Sequence, residues 1–145
     1  MITREELIEQ WEEDSKIDKT KVMDYLAELP SIHAKYTRHL SDHRMAVIKY
    51  STMLASLKKE KLDYYSGRYS QEQLKEKNLK PFRLTLKGDI SAYIEADSEY
   101  QELFLKKSYH EEVFKLCEMY VKDIANRSFE LREYLQHERW LSGAK

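Results

Sequence analysis

Residues 98–140 read SEYQELFLKKSYHEEVFKLCEMYVKDIANRSFELREYLQHERW, a run with no glycine or proline. Asp97 or Ser98 supplies a cap at its start, so the stretch predicts one helix reaching to about Trp140, ~60 Å long at 1.5 Å per residue. That length exceeds a compact small domain. Val113, Tyr120, Ile124, Leu131 and Leu135 share one side, while Phe114, Cys117, Val121 and Tyr134 widen the apolar face. A helix apolar over so much of its circumference needs more than one neighbour to cover it, which predicts self-association.

The rest of the chain extends this helical pattern. Its 145 residues suit one ordinary domain, and only 3 Gly and 2 Pro, with 35% charged and 41% hydrophobic residues, leave too few turn residues for a sandwich or barrel. The expected fold class is all-α. Thr3 with Glu6 three residues later forms a capping box, placing a first helix at about 4–15. A second start follows at Asp18 or Thr20. From there Val22, Leu26, Leu29, Tyr36, Leu40, Val47, Tyr50, Leu54, Leu57 and Tyr64 recur at gaps suited to a coiled-coil-like seam. Pro30 falls inside it and predicts a break or kink, with the phase carried across by His33 and a longer half from about Ser31 to Ser66. Gly67 provides the left-handed cap that ends this helix. Residues 68–87 show little apolar periodicity and predict a mobile or loosely docked insert. Residues 82–94 alternate as a hairpin would, but the helical context favours a short helix there.

Composition also narrows the chemistry. No apolar run approaches the ~20 residues needed to span a bilayer, so no membrane association is expected. The acidic start Met1–Glu13 is unlike a signal peptide, and with the single Cys117 in an apolar pattern it fits a reducing, intracellular setting. Glycines at 67, 88 and 143 cannot form a phosphate-cradling loop, so no nucleotide cofactor is expected. His39 and His43 have metal-ligand spacing on a helix, but no third ligand is evident, and the plain alternative is a polar interruption of packing at His43 with His39 facing water. No metal site and no enzymatic activity are expected.

The charge distribution is the informative feature. Net charge is −1, yet residues 1–30 carry 4 basic and 9 acidic groups, residues 31–92 carry 13 and 6, and residues 93–145 carry 8 and 11. A basic middle lies between acidic ends. Within it, Leu57-Lys58-Lys59-Glu60-Lys61-Leu62-Asp63-Tyr64-Tyr65-Ser66-Gly67-Arg68 packs cations and a tyrosine pair around one helix end. Single-stranded nucleic acid demands that mixture: cations track phosphates and aromatic faces stack on bases of any identity. Lys58, Lys59, Lys61 and Arg68 are the expected phosphate contacts, with Tyr64 or Tyr65 stacking. Lysines near a helix C-terminus also complement its dipole, and Tyr64 lies on the packing seam, so a coiled-coil scaffold or adaptor without nucleic-acid binding is the competing expectation.

The run Lys59-Glu60-Lys61-Leu62-Asp63-Tyr64-Tyr65-Ser66-Gly67-Arg68, preceded by Ile17-Asp18-Lys19-Thr20-Lys21, resembles the UvsY recombination mediators of T-even-like phages, and a looser likeness extends over the last helix to Gly143-Ala144-Lys145. The resemblance implies a ring-like homo-oligomer of six or seven subunits that binds single-stranded DNA. It further implies partners in a RecA-like phage recombinase and the phage single-strand-binding protein, and action in the cytoplasm of the infected host. Lys59 and Lys61 map onto the family's basic pair, here with Glu60 between them. The family's assembly helix maps onto Val113, Leu116, Tyr120, Ile124 and Leu131. Residues 1–92 are then the helical DNA-binding region, with the basic segment 31–92, and residues 93–145 the oligomerisation helix, in one structural domain overall.

Overall fold

A computed structural model describes residues 1–143; Ala144 and Lys145, the end of the closing match, lie outside the described residues. Five helices and no strand occur among the described residues: α1 Arg4–Asp14, α2 Val22–Tyr65, α3 Gln71–Glu76, α4 Lys87–Ala96 and α5 Ser98–Leu141. The all-α expectation holds, as does the long final helix. The chain divides into two compact units, one of residues 1–45 with 111 onward and one of Ala46–His110. The division falls within α2 and α5, each of which contributes to both units.

In the first unit the Thr3 hydroxyl accepts from the Glu6 N–H at 3.2 Å, which starts α1 as its spacing requires. Asp18 then accepts from the Thr20 N–H at 2.9 Å, making the turn before α2. Leu7, Tyr25, Leu29, Ile32, Tyr36, Val113, Cys117, Tyr120 and Ile124 form the core. Trp11 stacks on Tyr120 with centroids 4.8 Å apart and meets Tyr36 edge-on at 5.4 Å. The end of α1 is tied down by polar contacts. Tyr36 Oη donates to Asp14 Oδ2 at 2.8 Å, Tyr25 Oη donates to the Asp14 carbonyl at 2.7 Å, and Arg127 donates to the Ser15 carbonyl at 2.6 Å.

Three expectations about α2 are corrected here. The helix continues through Pro30, which is exposed, without the break expected there, because Leu29 and Ile32 on either side of it are buried and that packing outweighs one missing hydrogen bond. The phase across the proline is carried by Ile32; His33 is exposed. His43 is fully buried, its Nε2 2.9 Å from the Ile2 carbonyl, and His39 Nε2 lies 2.9 Å from Gln10 Oε1 rather than facing water. Both imidazoles therefore fasten the N-terminal segment to α2, and burial lowers the pKa of each below the ordinary histidine value.

Candidate nucleic-acid interface

In the second unit α2 ends as its glycine demands. Gly67 has φ +82°, its N–H donates to the Tyr64 carbonyl at 3.1 Å, and the Arg68 N–H donates to the Asp63 carbonyl at 2.9 Å. This is the Schellman pattern, which satisfies carbonyls left open by the last turn. A Cβ at Gly67 would lie 2.8 Å from the Phe82 carbonyl oxygen, so the following chain crosses the helix end at a distance only glycine allows.

Residues 68–87 are a packed segment, which corrects the expectation of a mobile or loosely docked insert. Ser70 and Gln73 form a reciprocal capping box that starts α3. Asn78, with φ 53°, ends it, and the Leu79 N–H donates to the Leu74 carbonyl at 2.9 Å. Leu74, Leu79, Phe82 and Leu84 then pack against a core of Tyr64, Tyr65, Ile90 and Ile94. The Leu84 N–H donates to the Tyr65 carbonyl at 2.9 Å and holds the strap in place. Between Phe82 and Ile94 the helical alternative is the one formed, as α4 Lys87–Ala96.

This packing decides the position of Tyr64 and Tyr65. Tyr64 and Tyr65 are buried, with 6% and 8% of their surface exposed. Phe82 lies 5.5 Å from Tyr64 and 5.1 Å from Tyr65, and Tyr93 lies 5.5 Å from Tyr65. Their hydroxyls donate to the Lys80 carbonyl at 2.6 Å and to Asp97 Oδ2 at 2.8 Å. Burial raises the pKa of both phenols, and for Tyr65 the bond to Asp97 adds to it. Tyr64 meets Phe82 edge-on, and Tyr65 meets Phe82 edge-on and Tyr93 at a tilt, so both rings expected to stack on bases lie among the chain's own aromatic side chains. Lys61 is drawn inward with its side chain 12% exposed, 3.2 Å from Asp97 and 3.7 Å from Glu99.

The cations that remain outward are Lys58, Lys59 and Arg68. Lys59 and Arg68 meet on Asp63, at 2.8 and 3.3 Å, and the hydrogen bond from Lys59 holds the Asp63 carboxyl below its usual pKa. Glu60 faces the packed segment instead of the basic pair: Lys77 Nζ donates to it at 2.6 Å, which lowers the Glu60 pKa, while Lys77 also lies 5.0 Å from the Tyr69 ring centroid. The docked strap adds Lys80 and Arg83 at the same helix end, Lys80 through its carbonyl on Tyr64 and Arg83 through its contact with Gly67. These two were legible as basic residues but not as neighbours of the end of α2; the signals that place them are Ser70-x-x-Gln73 and the apolar Leu74, Leu79, Phe82 and Leu84. Residues 58–87 carry nine basic and four acidic side chains.

The residues expected to drive assembly lie on the inward side of α5. Val113, Tyr120 and Ile124 are buried in the core of the first unit, and Leu116 and Leu131 pack against it half-buried, because residues of α1 and α2 already cover them. The large apolar side chains that α5 leaves exposed include Phe104, Leu105, Met119, Phe129, Trp140 and Leu141. Among the described residues no group of three or more His, Cys, Asp or Glu side chains is arranged to hold a metal ion, and no helix is long and apolar enough to cross a membrane.

The family model described as the recombination, repair and single-stranded-DNA-binding protein UvsY matches residues 10–144. No curated protein sequence matches the chain. Among solved structures, three crystal forms of the bacteriophage T4 recombination mediator protein UvsY share the fold. Lattice type II gives a TM-score of 0.84 at 20% identity, covering 99% of this chain and 100% of that one. Lattice types IV and I give 0.78 and 0.79 at 20% and 21% identity, covering 97% and 94% of this chain and 99% and 98% of those.

Proposed function

Because the chain belongs to the UvsY family of recombination, repair and single-stranded-DNA-binding proteins, we propose that it is a phage recombination mediator, binding single-stranded DNA through the cationic end of α2. Its finer task is to help a RecA-like recombinase load onto DNA already coated by the phage single-strand-binding protein, in the cytoplasm of the infected host. The observation that supports the interface is the surplus of basic groups over 58–87, with Lys58, Lys59 and Arg68 exposed at the end of α2, inside the segment that matches the family.

The geometry favours phosphate tracking over base stacking. Lys58, Lys59 and Arg68, joined by Lys80 and Arg83, would contact the backbone, while Tyr64, Tyr65 and Lys61 hold the frame that presents them. One subunit offers only a few such contacts. Useful affinity then requires a homo-oligomer, six or seven copies by family likeness, displaying many weak sites at once. Its contacts come from the apolar residues that α5 leaves exposed, with Val113, Leu116, Tyr120, Ile124 and Leu131 shaping the helix beneath them. A strand wrapped on such an array is held in a conformation that favours recombinase over the coating protein, and no bond is made or broken by the mediator.

Fluorescence anisotropy of a labelled single-stranded oligonucleotide tests the reading. Binding is expected to weaken steeply with salt, and the combined change Lys58→Ala, Lys59→Ala and Arg68→Ala is expected to lower affinity about tenfold or more and to flatten the salt dependence. No binding at low salt would sink the proposal in favour of the scaffold or adaptor.

A further inference from the structure

Asp63 is unusual for its place. It lies in the last turn of α2, where the helix dipole disfavours a carboxylate, and its side chain caps nothing. Its backbone carbonyl, not its side chain, takes part in the helix stop. What its carboxylate does is hold two of the outward cations: Lys59 Nζ lies 2.8 Å from Oδ1 and 3.1 Å from Oδ2, and Arg68 Nη1 lies 3.3 Å from Oδ1. An oxyanion accepting from a lysine and an arginine at once is also what a backbone phosphate would be there. The side chains of Lys59 and Arg68 are each 65% exposed, so a strand can reach them, but only in competition with Asp63. Glu60 does not compete in this way, since it is engaged by Lys77 and Tyr69.

We propose that Asp63 is an internal competitor for the phosphate between Lys59 and Arg68, an affinity-limiting residue that keeps each subunit's grip on single-stranded DNA weak and readily released. The proposal rests on the assignment of this helix end as the interface. Its physical content is an exchange: binding a phosphate breaks two ion pairs within the chain as it forms two with the strand, so the net gain per subunit is small. In a many-site assembly such attenuation lets a strand be held collectively yet surrendered site by site.

The test uses the full chain and a labelled oligonucleotide. Asp63→Asn keeps the volume and the backbone bond and removes the charge; it is expected to tighten binding by about two- to fivefold for each engaged subunit, the scale of exposed ion pairs. Asp63→Ser is a second variant with the same expected direction. Glu95→Gln makes the same change of net charge on an exposed side chain of α4 and is expected to leave binding nearly unchanged. In a chain carrying Lys59→Ala and Arg68→Ala, the gain from Asp63→Asn is expected to vanish. Unchanged or weaker binding by Asp63→Asn, or an equal gain from Glu95→Gln, overturns the proposal. If Lys59→Ala with Arg68→Ala leaves wild-type binding intact, the interface assignment falls as well; if that pair weakens binding and Asp63→Asn still fails to tighten it, the competitor alone falls.

Discussion

Asp97 links the end of α2 to the start of α5. It follows α4, its Oδ1 accepts from the Tyr100 N–H at 3.1 Å to start α5, and its Oδ2 accepts from Tyr65 Oη at 2.8 Å beside Lys61. Burial pushes its pKa up, but the bonds from Tyr65 and the Tyr100 N–H, with Lys61, together hold it below the ordinary value. A carboxyl whose pKa is lowered by folding stabilises the native state above its unfolded pKa and loses that contribution as pH falls through the folded one. The chain is thus expected to lose stability below about pH 4. Asp97→Asn is expected to be less stable at pH 7 and to show a shallower loss over that acid range, read as urea midpoints against pH. Tyr65→Phe, which removes only the donated hydrogen bond, is expected to cost about 1.5–3 kcal/mol in the same assay. Its affinity for single-stranded DNA at full folding is expected to stay within about twofold of wild type, because a ring packed on Phe82 and Tyr93 is not offered to a base; a tenfold loss would restore it as a stacking residue. Sequence pattern found this tyrosine pair, yet could not tell a stacking platform from a core, since both need aromatic faces beside cations.

At the scale of elements, local chemistry and tertiary burial divided the outcome. Thr3, Asp97 and Gly67 each supply a specific backbone requirement, and the helix ends fall at or within two residues of where those requirements put them. Pro30 is the exception. Its penalty of ~3 kcal/mol is real, but a helix that buries Tyr25, Leu29, Ile32 and Tyr36 on one face absorbs it. Pro30→Ala is therefore expected to raise stability, by up to about 3 kcal/mol in urea unfolding, with no change in fold; a destabilised chain would mean that the proline shapes α2 in a way the core requires. Gly67→Ala tests the other end. Its positive φ and the 2.8 Å approach to Phe82 predict a loss of about 1–2 kcal/mol or more, together with faster amide exchange at Leu84, whose N–H the strap commits to Tyr65. The docking of residues 68–87 escaped the sequence because Leu74, Leu79, Phe82 and Leu84 share no single period, helical or strand. Their partners come from the end of α2 and from α4, so only the folded chain brings them to one cluster.

For the whole molecule the expectation that matters is collective. If many weak phosphate sites act together, dilution below the concentration at which subunits separate is expected to lower affinity by far more than any single-site change, and to reduce the salt dependence toward that of a few contacts. Light scattering paired with anisotropy across the same dilution series checks this; a monomer that binds as tightly as the assembly would remove the multivalent mechanism. The sequence by itself determined the all-helical class, the long final helix, the glycine stop of α2 and the surplus of basic charge, because hydrophobic period, glycine placement and charge are local properties of the chain. Only the tertiary structure decided which of those residues face outward. It turned Tyr64, Tyr65, Val113, Tyr120 and Ile124 into core, drew Lys61 onto Asp97, and set Arg83 against Gly67, because burial is a property of the neighbours that folding supplies.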